Sequence, residues 1–324
     1  MNPVNTKPYD LPPDAAWLSI GREVASLVAS KPNQRLIATA RNPSSLSYLP
    51  DTHPNVLKLA LDVTSVSSVD AAFAAAAKHF GNDFHLDVVV NNAGYSLSGD
   101  TEAATEEEMH QEMETLFFGT ARVTVRAIEV MRQAKDHRGG LIFNISSVAG
   151  LCAFPGHAYY HAGKFAVEGF SESVAREMHP DWNSEFPPVP IRHHLRPQNC
   201  QRKRSWLMLC SRQTVNLCIV EPSGVQTSFE GHSKAHTKPH PAYAGEDMPS
   251  RRLESYVNKG IKSGALMEPS AVAETLFTIA SRGKRVPLRL PLGATAWMLA
   301  KSKSEGFLSE LDAVKELSSM GRKI

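Results

Sequence analysis

Short apolar runs alternate along the chain with longer stretches in which apolar residues recur at helical spacing. The runs predict buried strands at residues 36–40, 56–61, 86–90, 141–145 and 215–220. The stretches predict helices at residues 20–29, 66–80, 106–132 and 163–178. Regular alternation of strand and helix indicates an α/β fold: a doubly wound, Rossmann-like parallel sheet with helices on both faces, in one domain of residues 1–324.

The start of the chain departs from this alternation. A doubly wound sheet needs a first strand before residue 20, but the early residues include Pro3, Pro8, Pro12 and Pro13. Proline cannot donate a hydrogen bond to a strand ladder. We therefore expect the first strand to be degenerate or missing, and we hypothesise that residues 1–19 and 191–213 come from an altered reading frame.

Two internal segments also interrupt the alternation. Residues 191–213 carry six basic and no acidic residues, and so dense a charge run predicts a solvated basic insertion. Trp206 is its only Phe, Tyr or Trp residue, which disfavours nucleic-acid binding. Residues 232–250 are rich in His, Lys, Pro and Gly and predict a long loop, a common form for a lid or binding segment.

Composition and charge limit the class of protein. The 324 residues are 42% hydrophobic, and the net charge of +2 gives no electrostatic reason to expect a nucleic-acid or membrane partner. The longest apolar window, residues 290–300, is about half as long as a membrane-spanning helix, so we expect no such span. Four cysteines without CxxC spacing, and no signal peptide, predict a cytoplasmic protein. The histidines lack Cys or carboxylate partners at ligand spacing, so we expect no metal.

Tyr160 and Lys164 are the first candidates for chemistry. They stand four residues apart at the start of a predicted helix, so their side chains can share one face. A neighbouring ammonium favours the phenolate and brings the pKa of a tyrosine down from about 10 toward the neutral range. The pair could therefore serve as an acid/base, although the same spacing is common on solvated helices.

Further polar motifs follow the predicted strands. Asn144-Ile145-Ser146-Ser147 ends one strand, thirteen residues before Tyr160, where side chains face the crevice in which doubly wound sheets bind ligands. Asn91-Asn92-Ala93-Gly94 and Asp62 follow two other strands. With these signals in this order, the chain resembles the short-chain dehydrogenase/reductase family over roughly residues 19–190 and 214–230.

The resemblance implies a catalytic group. Tyr160 would be the proton donor or acceptor, and Lys164 would lower its pKa and hold the nicotinamide ribose. Ser147 would hydrogen-bond the substrate oxygen and stabilise charge on it. The neighbouring Ser146 and Tyr159 are expected to be packing residues.

The resemblance also implies cofactor contacts and a coenzyme. Ile20 and Gly21 would lie at the phosphate turn, with Asp62 at the adenine and Asn91 near its ribose. Val225 and Thr227 would lie beside the nicotinamide, although Asp62 could instead cap a helix and Thr227 could be a turn hydroxyl. Arg41 directly follows the second strand, where a basic residue accommodates the 2′-phosphate of NADP, so we expect NADP(H) rather than NAD.

Two departures from the family pattern keep a rival interpretation open. The glycine-rich turn would align with residues 15–21, but only Gly21 remains, with Ala15 and Ser19 at the other two glycine positions. Leu116 stands where many members carry an asparagine of the catalytic group. The chain could therefore be a cofactor-deficient, non-catalytic relative, acting as a scaffold or being a defective translation product. A hydrolase is disfavoured because no G-x-S-x-G elbow surrounds Ser147.

The expected function is an NADP(H)-dependent oxidoreductase that interconverts an alcohol and a carbonyl group. The family implies a substrate lid at residues 228–262 and a substrate-side helical extension at residues 263–324. Apolar residues there favour a small apolar alcohol or ketone as substrate. Two long predicted helices could also form a homo-oligomer interface.

Overall fold

A parallel sheet of seven strands forms the centre of the molecule. The computed structural model describes residues 4–81, 84–134, 139–178, 214–227, 229, 233–264 and 266–320. The strand order is β3-β2-β1-β4-β6-β7-β9, and every neighbouring pair is parallel. This order confirms the predicted doubly wound, Rossmann-like fold. The strands are β1 Ala16–Ser19, β2 Arg35–Ala40, β3 Val56–Ala60, β4 Val88–Asn91, β6 Gly140–Ile145, β7 Val215–Pro222 and β9 Arg289–Leu292.

A second, smaller sheet lies outside the central one. It pairs β5 (Ser96–Ser98) with β8 (Lys234–His236) in parallel register. β5 follows the Asn-Asn-Ala-Gly motif, and β8 belongs to the segment predicted as a lid. The small sheet therefore joins the central fold to that segment.

Helices cover both faces of the central sheet. One apolar cluster holds α1 and α7 against one face, and a second holds α2, α4 and α5 against the other. The four helices predicted from apolar periodicity are present, although one is interrupted by a π turn at Glu114–Phe118. The helices are α1 Arg22–Ala29, α2 Val66–Phe80, α3 Glu106–Met113, α4 Gly119–Gln133, α5 Ala158–Glu177, α6 Pro249–Lys262, α7 Pro269–Ser281, α8 Ala294–Ala313 and α9 Lys315–Ser318.

The first strand is present, so the expectation that it is degenerate or missing was wrong. β1 lies between β2 and β4, and all four of its residues are buried. Trp17 packs into one apolar cluster and stacks on Phe277, whereas Leu18 packs into the other. The strand can be this short because bulky side chains on both faces secure it, and Pro12 and Pro13 come before its ladder begins.

The proline-containing segment before β1 is fastened to the amino-terminal edge of the sheet. The Asn5 amide donates to the carbonyls of Leu217 and Val286, and its oxygen accepts the Leu217 N–H, at 2.7, 3.1 and 3.2 Å. Tyr9 is buried, and its N–H donates to the Lys284 carbonyl. Residues 4–19 thus have a structural place, which removes the reason to assign them to an altered reading frame. Residues 191–213 lie outside the described residues.

Candidate active site

The carboxyl ends of the central strands bring most of the predicted site residues to one edge of the sheet. Ile20 and Gly21 follow β1, and Ser147 lies two residues beyond β6. The segment after β7 begins with Ser223 and Gly224 and leads to Val225 and Thr227. A crevice at this edge is the usual ligand site of doubly wound sheets.

The proposed catalytic side chains converge at the end of β6. Tyr160 lies in the first turn of α5, and Lys164 follows one turn later with its Nζ 5.7 Å from the centre of the Tyr160 ring. Lys164 Nζ also donates to the backbone carbonyl of Ile145 at 2.8 Å. Ser147 caps a short 3₁₀ turn, where its Oγ accepts the Ala149 N–H at 3.1 Å. The Ile145 bond fixes the ammonium to the strand end from which Ser147 projects.

The Lys164 ammonium is buried, which changes its acid–base behaviour. The exposed fraction of Lys164 as a whole is only 7%. Burial lowers the pKa of Lys164 to about 8, although the Glu112 and Glu168 carboxylates act in the opposite direction. The Lys164 amine can therefore lose its proton near neutral pH, whereas a solvated lysine keeps its proton there.

The neighbouring hydroxyl residues, Ser146 and Tyr159, lie against other groups. Ser146 is buried, and its hydroxyl faces the Glu168 carboxyl. The Tyr159 hydroxyl donates to the Thr101 carbonyl at 3.2 Å. Both contacts fit the packing roles expected from the sequence.

His161 is a structural part of the site that sequence reasoning missed. Its Nε2 accepts the Phe154 N–H at 2.8 Å, so its Nδ1 carries the proton and donates to the Ala149 carbonyl, also at 2.8 Å. The His161 ring thereby ties the start of α5, which carries Tyr160, to the backbone that follows Ser147. No sequence motif distinguishes this histidine from a solvated one, because the signal is its burial.

The turn between β1 and α1 consists of Ile20 and Gly21 alone. The Ile20 N–H donates to the Val90 carbonyl at 3.2 Å, and Gly21 is the residue at the N-cap of α1. The alignment of residues 15–21 with a glycine-rich turn was wrong, because Ala15 directly precedes β1 and Ser19 is its last residue. The helix therefore begins almost at the strand end.

Arg41 and Asp62 lie near each other at the β2 side of this edge. Arg41 is exposed directly after β2. Asp62 Oδ1 accepts from the hydroxyl and the N–H of Thr64 at 2.7 and 3.0 Å, and these two bonds, with a smaller contribution from Arg41, lower the pKa of Asp62. Ser65, and not Asp62, caps α2.

Asn91 is placed differently from the other predicted cofactor residues. It is 2% exposed, and its amide donates to Asn144 Oδ1 at 2.9 Å and to Thr124 Oγ1 at 3.0 Å. Asn144 in turn donates to Ser171. The Asn91 side chain thus belongs to a buried network that ties β4 and β6 to α4 and α5.

The segment after β7 reaches back to Tyr160. Val225 bridges to Met267, and the exposed Thr227 accepts the Phe229 N–H at 3.2 Å. The Phe229 ring lies 6.0 Å from the Tyr160 ring. The turn role considered for Thr227 is therefore observed, and the next aromatic residue, Phe229, lies close to the proposed acid/base.

Asp100 fastens the predicted lid to the rest of the fold. Its side chain is 1% exposed and accepts from Arg251 at 2.6 Å, from the His240 N–H at 3.2 Å and from Ser250 Oγ at 3.4 Å. His240 and Arg251 both belong to the segment predicted as a lid. A charged side chain so deeply buried is stable only when it is paired in this way.

Leu116 lies in the π turn that precedes α4. It is 1% exposed, and its side chain packs so closely on Gly94 and Gly163 that a Cβ on either would lie 2.8 Å from it. Thr120 Oγ1 donates to the Leu116 carbonyl at 2.7 Å. Single π turns are frequent at functional sites, but here the side chain in the turn is apolar.

Two features are absent from the described part of the chain. No group of three or more His, Cys, Asp or Glu residues there could hold a metal ion. No helix in those residues is long and apolar enough to cross a membrane.

Comparison with known proteins defines the class to which this fold and site belong. The family model described as short chain dehydrogenase matches residues 16–182. The chain therefore belongs to the short-chain dehydrogenase/reductase family, whose members are oxidoreductases.

Three similar proteins illustrate this relationship. The oxidoreductase calM of Penicillium decumbens is 60% identical over 326 residues, covering 99% of this chain and 97% of calM. A short-chain dehydrogenase from Streptomyces avermitilis has a TM-score of 0.73 and 25% identity, covering 95% of this chain and 100% of its own. A short chain dehydrogenase from Burkholderia cenocepacia, solved in complex with NADP, has a TM-score of 0.58 and 18% identity, covering 93% and 96% of the two chains, and shares the fold.

Proposed function

We propose that this chain is an NADP(H)-dependent oxidoreductase that interconverts an alcohol and a carbonyl group. The observation that supports this most is the buried Lys164 ammonium, held at the Ile145 carbonyl and 5.7 Å from the centre of the Tyr160 ring. A cation placed there by the fold favours ionisation of the phenol. Tyr160 can then exchange its proton with a substrate oxygen near neutral pH.

Ser147 and Tyr160 have complementary roles in the proposal. The Ser147 hydroxyl donates to the substrate oxygen and stabilises the charge that grows there. Tyr160 gives its proton to that oxygen when a carbonyl is reduced, and takes it back when an alcohol is oxidised. His161 holds the two segments that carry these hydroxyls at a fixed separation.

The residues at this edge fit a nicotinamide dinucleotide. An ammonium has three N–H donors, and Lys164 uses one for Ile145, so another suits a ribose hydroxyl. The N-terminus of α1, reached through Gly21, suits phosphate because its backbone N–H groups carry partial positive charge. Val225 and Thr227 would face the nicotinamide side, and the Asn91 backbone the adenine side. When bound, the cofactor supplies or accepts the hydride.

Arg41 supports NADP(H) as the coenzyme. It is exposed after β2 and near Asp62, where its guanidinium can make two charge-assisted hydrogen bonds to a 2′-phosphate that NAD lacks. Asp62 would contact the adenine. The Burkholderia cenocepacia neighbour, which shares the fold, was solved in complex with NADP.

An apolar alcohol or ketone is the proposed substrate class. The Phe229 ring beside Tyr160 makes that side of the reacting position apolar. Residues 228–262 would close over the substrate as a lid fastened at Asp100, and residues 263–324 would flank it. An apolar cover of this kind also excludes water from the reacting groups.

The short turn between β1 and α1 favours a second candidate, a relative that does not bind cofactor. Family glycines let the backbone approach the pyrophosphate closely, and here Ile20 and Gly21 make up the whole turn. This candidate predicts the same fold and is compatible with the same catalytic residues. It differs in predicting that the chain does not bind NADPH.

Fluorescence titration with NADPH, followed by assay against a panel of apolar ketones, tests the proposal. We expect NADPH binding, and turnover that falls about 10²–10⁴-fold in Tyr160→Phe with binding retained. Tyr159→Phe is the matched control and should keep turnover. Lys164→Ala should lose turnover and also weaken NADPH binding. Absence of NADPH binding would favour the cofactor-deficient candidate, and equal turnover in the two tyrosine variants would refute the role of Tyr160.

A further inference from the structure

Glu112 is a buried carboxyl group that the proposed reaction leaves unused. It lies on α3 and its exposed fraction is 0%. Its Oε2 accepts the Leu97 N–H at 2.8 Å, whereas Oε1 has no hydrogen-bond partner within the described residues. A buried carboxyl oxygen is costly when unsatisfied, so this atom points to a further polar partner at the site.

The cation whose charge acts on Glu112 is Lys164. α3 packs against α5, and the two charges favour each other's ionised form. Lys164 Nζ donates to Ile145, which leaves N–H donors on the same ammonium. The unpartnered carboxyl oxygen and these donors are chemically complementary.

The residue one helical turn beyond Glu112 cannot take this role. Leu116 occupies the space against Gly94, and a Cβ placed on Gly94 would also lie 4.0 Å from Lys164 Nζ. The side chain that approaches the ammonium from the π turn is therefore apolar. The charge that favours the ammonium from this direction is that of Glu112 on α3.

The Glu112 carboxyl and the Lys164 ammonium change their charge within a narrow range of pH. Burial raises the pKa of Glu112 to about 7, partly offset by the Leu97 bond and by Lys164, and burial lowers the pKa of Lys164 to about 8. The other titratable groups that face the pair are Tyr95 and Glu108 beside Glu112, and Tyr160 and Glu168 beside Lys164.

We propose that Glu112 is a positioning residue of this site: its carboxylate is the buried counter-charge that keeps the Lys164 ammonium protonated beside Tyr160. This inference rests on the proposed function, because it gives Glu112 a part in the same site. Without the carboxylate, the buried amine loses its proton at a lower pH. Tyr160 then loses its cation under conditions in which the native chain still has it.

The titration of Lys164 itself tests this role without cofactor or substrate. The full chain is labelled with ¹³C-lysine, and the Lys164 resonance is assigned by its loss in Lys164→Arg. In Glu112→Gln we expect the midpoint of the Lys164 titration to fall by about one pH unit or more, as expected for loss of an opposite charge at short range. Glu106→Gln, an exposed charge on the same helix, should leave the midpoint unchanged.

Glu112→Gln keeps an acceptor for the Leu97 N–H, so we expect it to fold, and circular dichroism checks this. If it does not fold, the native chain alone decides. In the native chain, the titration curve of the Lys164 resonance should show a second inflection near neutral pH as Glu112 titrates. A single-step titration, or an unchanged midpoint in Glu112→Gln, would overturn the proposal. Because NADPH turnover plays no part in this readout, failure of the proposed function would be seen separately.

Discussion

At the scale of single residues, the sequence shows the motif positions but not the buried residues that contact them. Ser147, Tyr160 and Lys164 could be selected because hydroxyl, phenol and amine have recognisable spacing. Glu112 could not, because it follows the run Glu106-Glu107-Glu108 and resembles one more residue of a solvated face. Burial converts that carboxyl into a charge partner, and burial of one glutamate in a polar helix is decided by tertiary packing.

Arg41 carries the prediction of coenzyme choice. Its removal should reduce the preference for NADPH over NADH by about tenfold, equivalent to about 1.4 kcal/mol, because one charged contact to the 2′-phosphate is lost. The ratio of kcat/KM for the two coenzymes measures this. Arg35→Ala removes a guanidinium at the opposite end of β2 and serves as the control. Equal efficiency with both coenzymes before and after Arg41→Ala would reject the assignment.

At the scale of elements, periodicity predicted five strands of the central sheet and the helices that precede β7, but not β1, β5, β8 and β9 or the helices α6 to α8. β5 and β8 have three residues each, too few for a pattern to stand out from neighbouring loops. β8 forms because it pairs with β5, and the segment around it is held by Asp100. Such pairings depend on residues more than a hundred positions apart, which local patterns do not contain.

The Asp100 contacts predict how the lid segment is held. Asp100→Ala removes the partner of Arg251 and of the His240 N–H, so amides of residues 233–262 should exchange with solvent at least about tenfold faster, which corresponds to about 1.4 kcal/mol of local stability. Hydrogen-exchange mass spectrometry measures this. Glu102→Ala removes only the exposed bond to the Tyr243 hydroxyl and should change exchange much less. Unchanged protection in Asp100→Ala would show that the segment is held by other contacts.

Two buried carboxyl groups, Glu168 on α5 and Glu221 on β7, form an acidic pair beside Arg289 of β9. Arg289 contacts Glu168, Glu172 and Glu221 at 3.2, 2.9 and 3.5 Å. Burial, with repulsion from Glu168, raises the pKa of Glu221 to about 8. The folded chain therefore retains a proton that the unfolded chain releases near pH 4, so this site loses stability as the pH rises from about 4 to about 8.

Glu221→Gln should remove that pH dependence. Between about pH 5 and about pH 7, the free energy of unfolding of the native chain should fall relative to the variant by up to about 1.4 kcal/mol per pH unit, the slope for one proton. Urea unfolding of both chains at several pH values measures the difference. Parallel stability curves would contradict the assignment of a retained proton to this pair.

At the scale of the whole molecule, segments near the two ends of the chain complete the central sheet. The segment before β1 closes the amino-terminal edge through Asn5, which joins β7 to Val286 just before β9, and β9 pairs with β7 as the last strand of the sheet. The sequence could not show this, because prolines exclude strand pairing but not side-chain anchoring. Exposed Phe118, Val125 and Phe165 on the π turn, α4 and α5 are compatible with the homo-oligomer, which stays a prediction.

Asn5 predicts a measurable contribution of this segment to stability. Asn5→Ala leaves the Leu217 N–H and two buried carbonyls without their side-chain partner, which should cost about 1–3 kcal/mol. Urea unfolding measures the change. An unaltered midpoint would mean that residues 4–14 do not hold the sheet edge in solution and would restore the doubt about this segment.

Transfer of deuterium from NADPH labelled at C4 of the nicotinamide to an apolar ketone tests the central claim most directly. The account predicts that the native chain places the label on the carbinol carbon of the product. Tyr160→Phe should bind the same NADPH but transfer the label about 10²–10⁴-fold more slowly. Label transfer at the native rate in Tyr160→Phe, or none with any ketone by a native chain that binds NADPH, would contradict it.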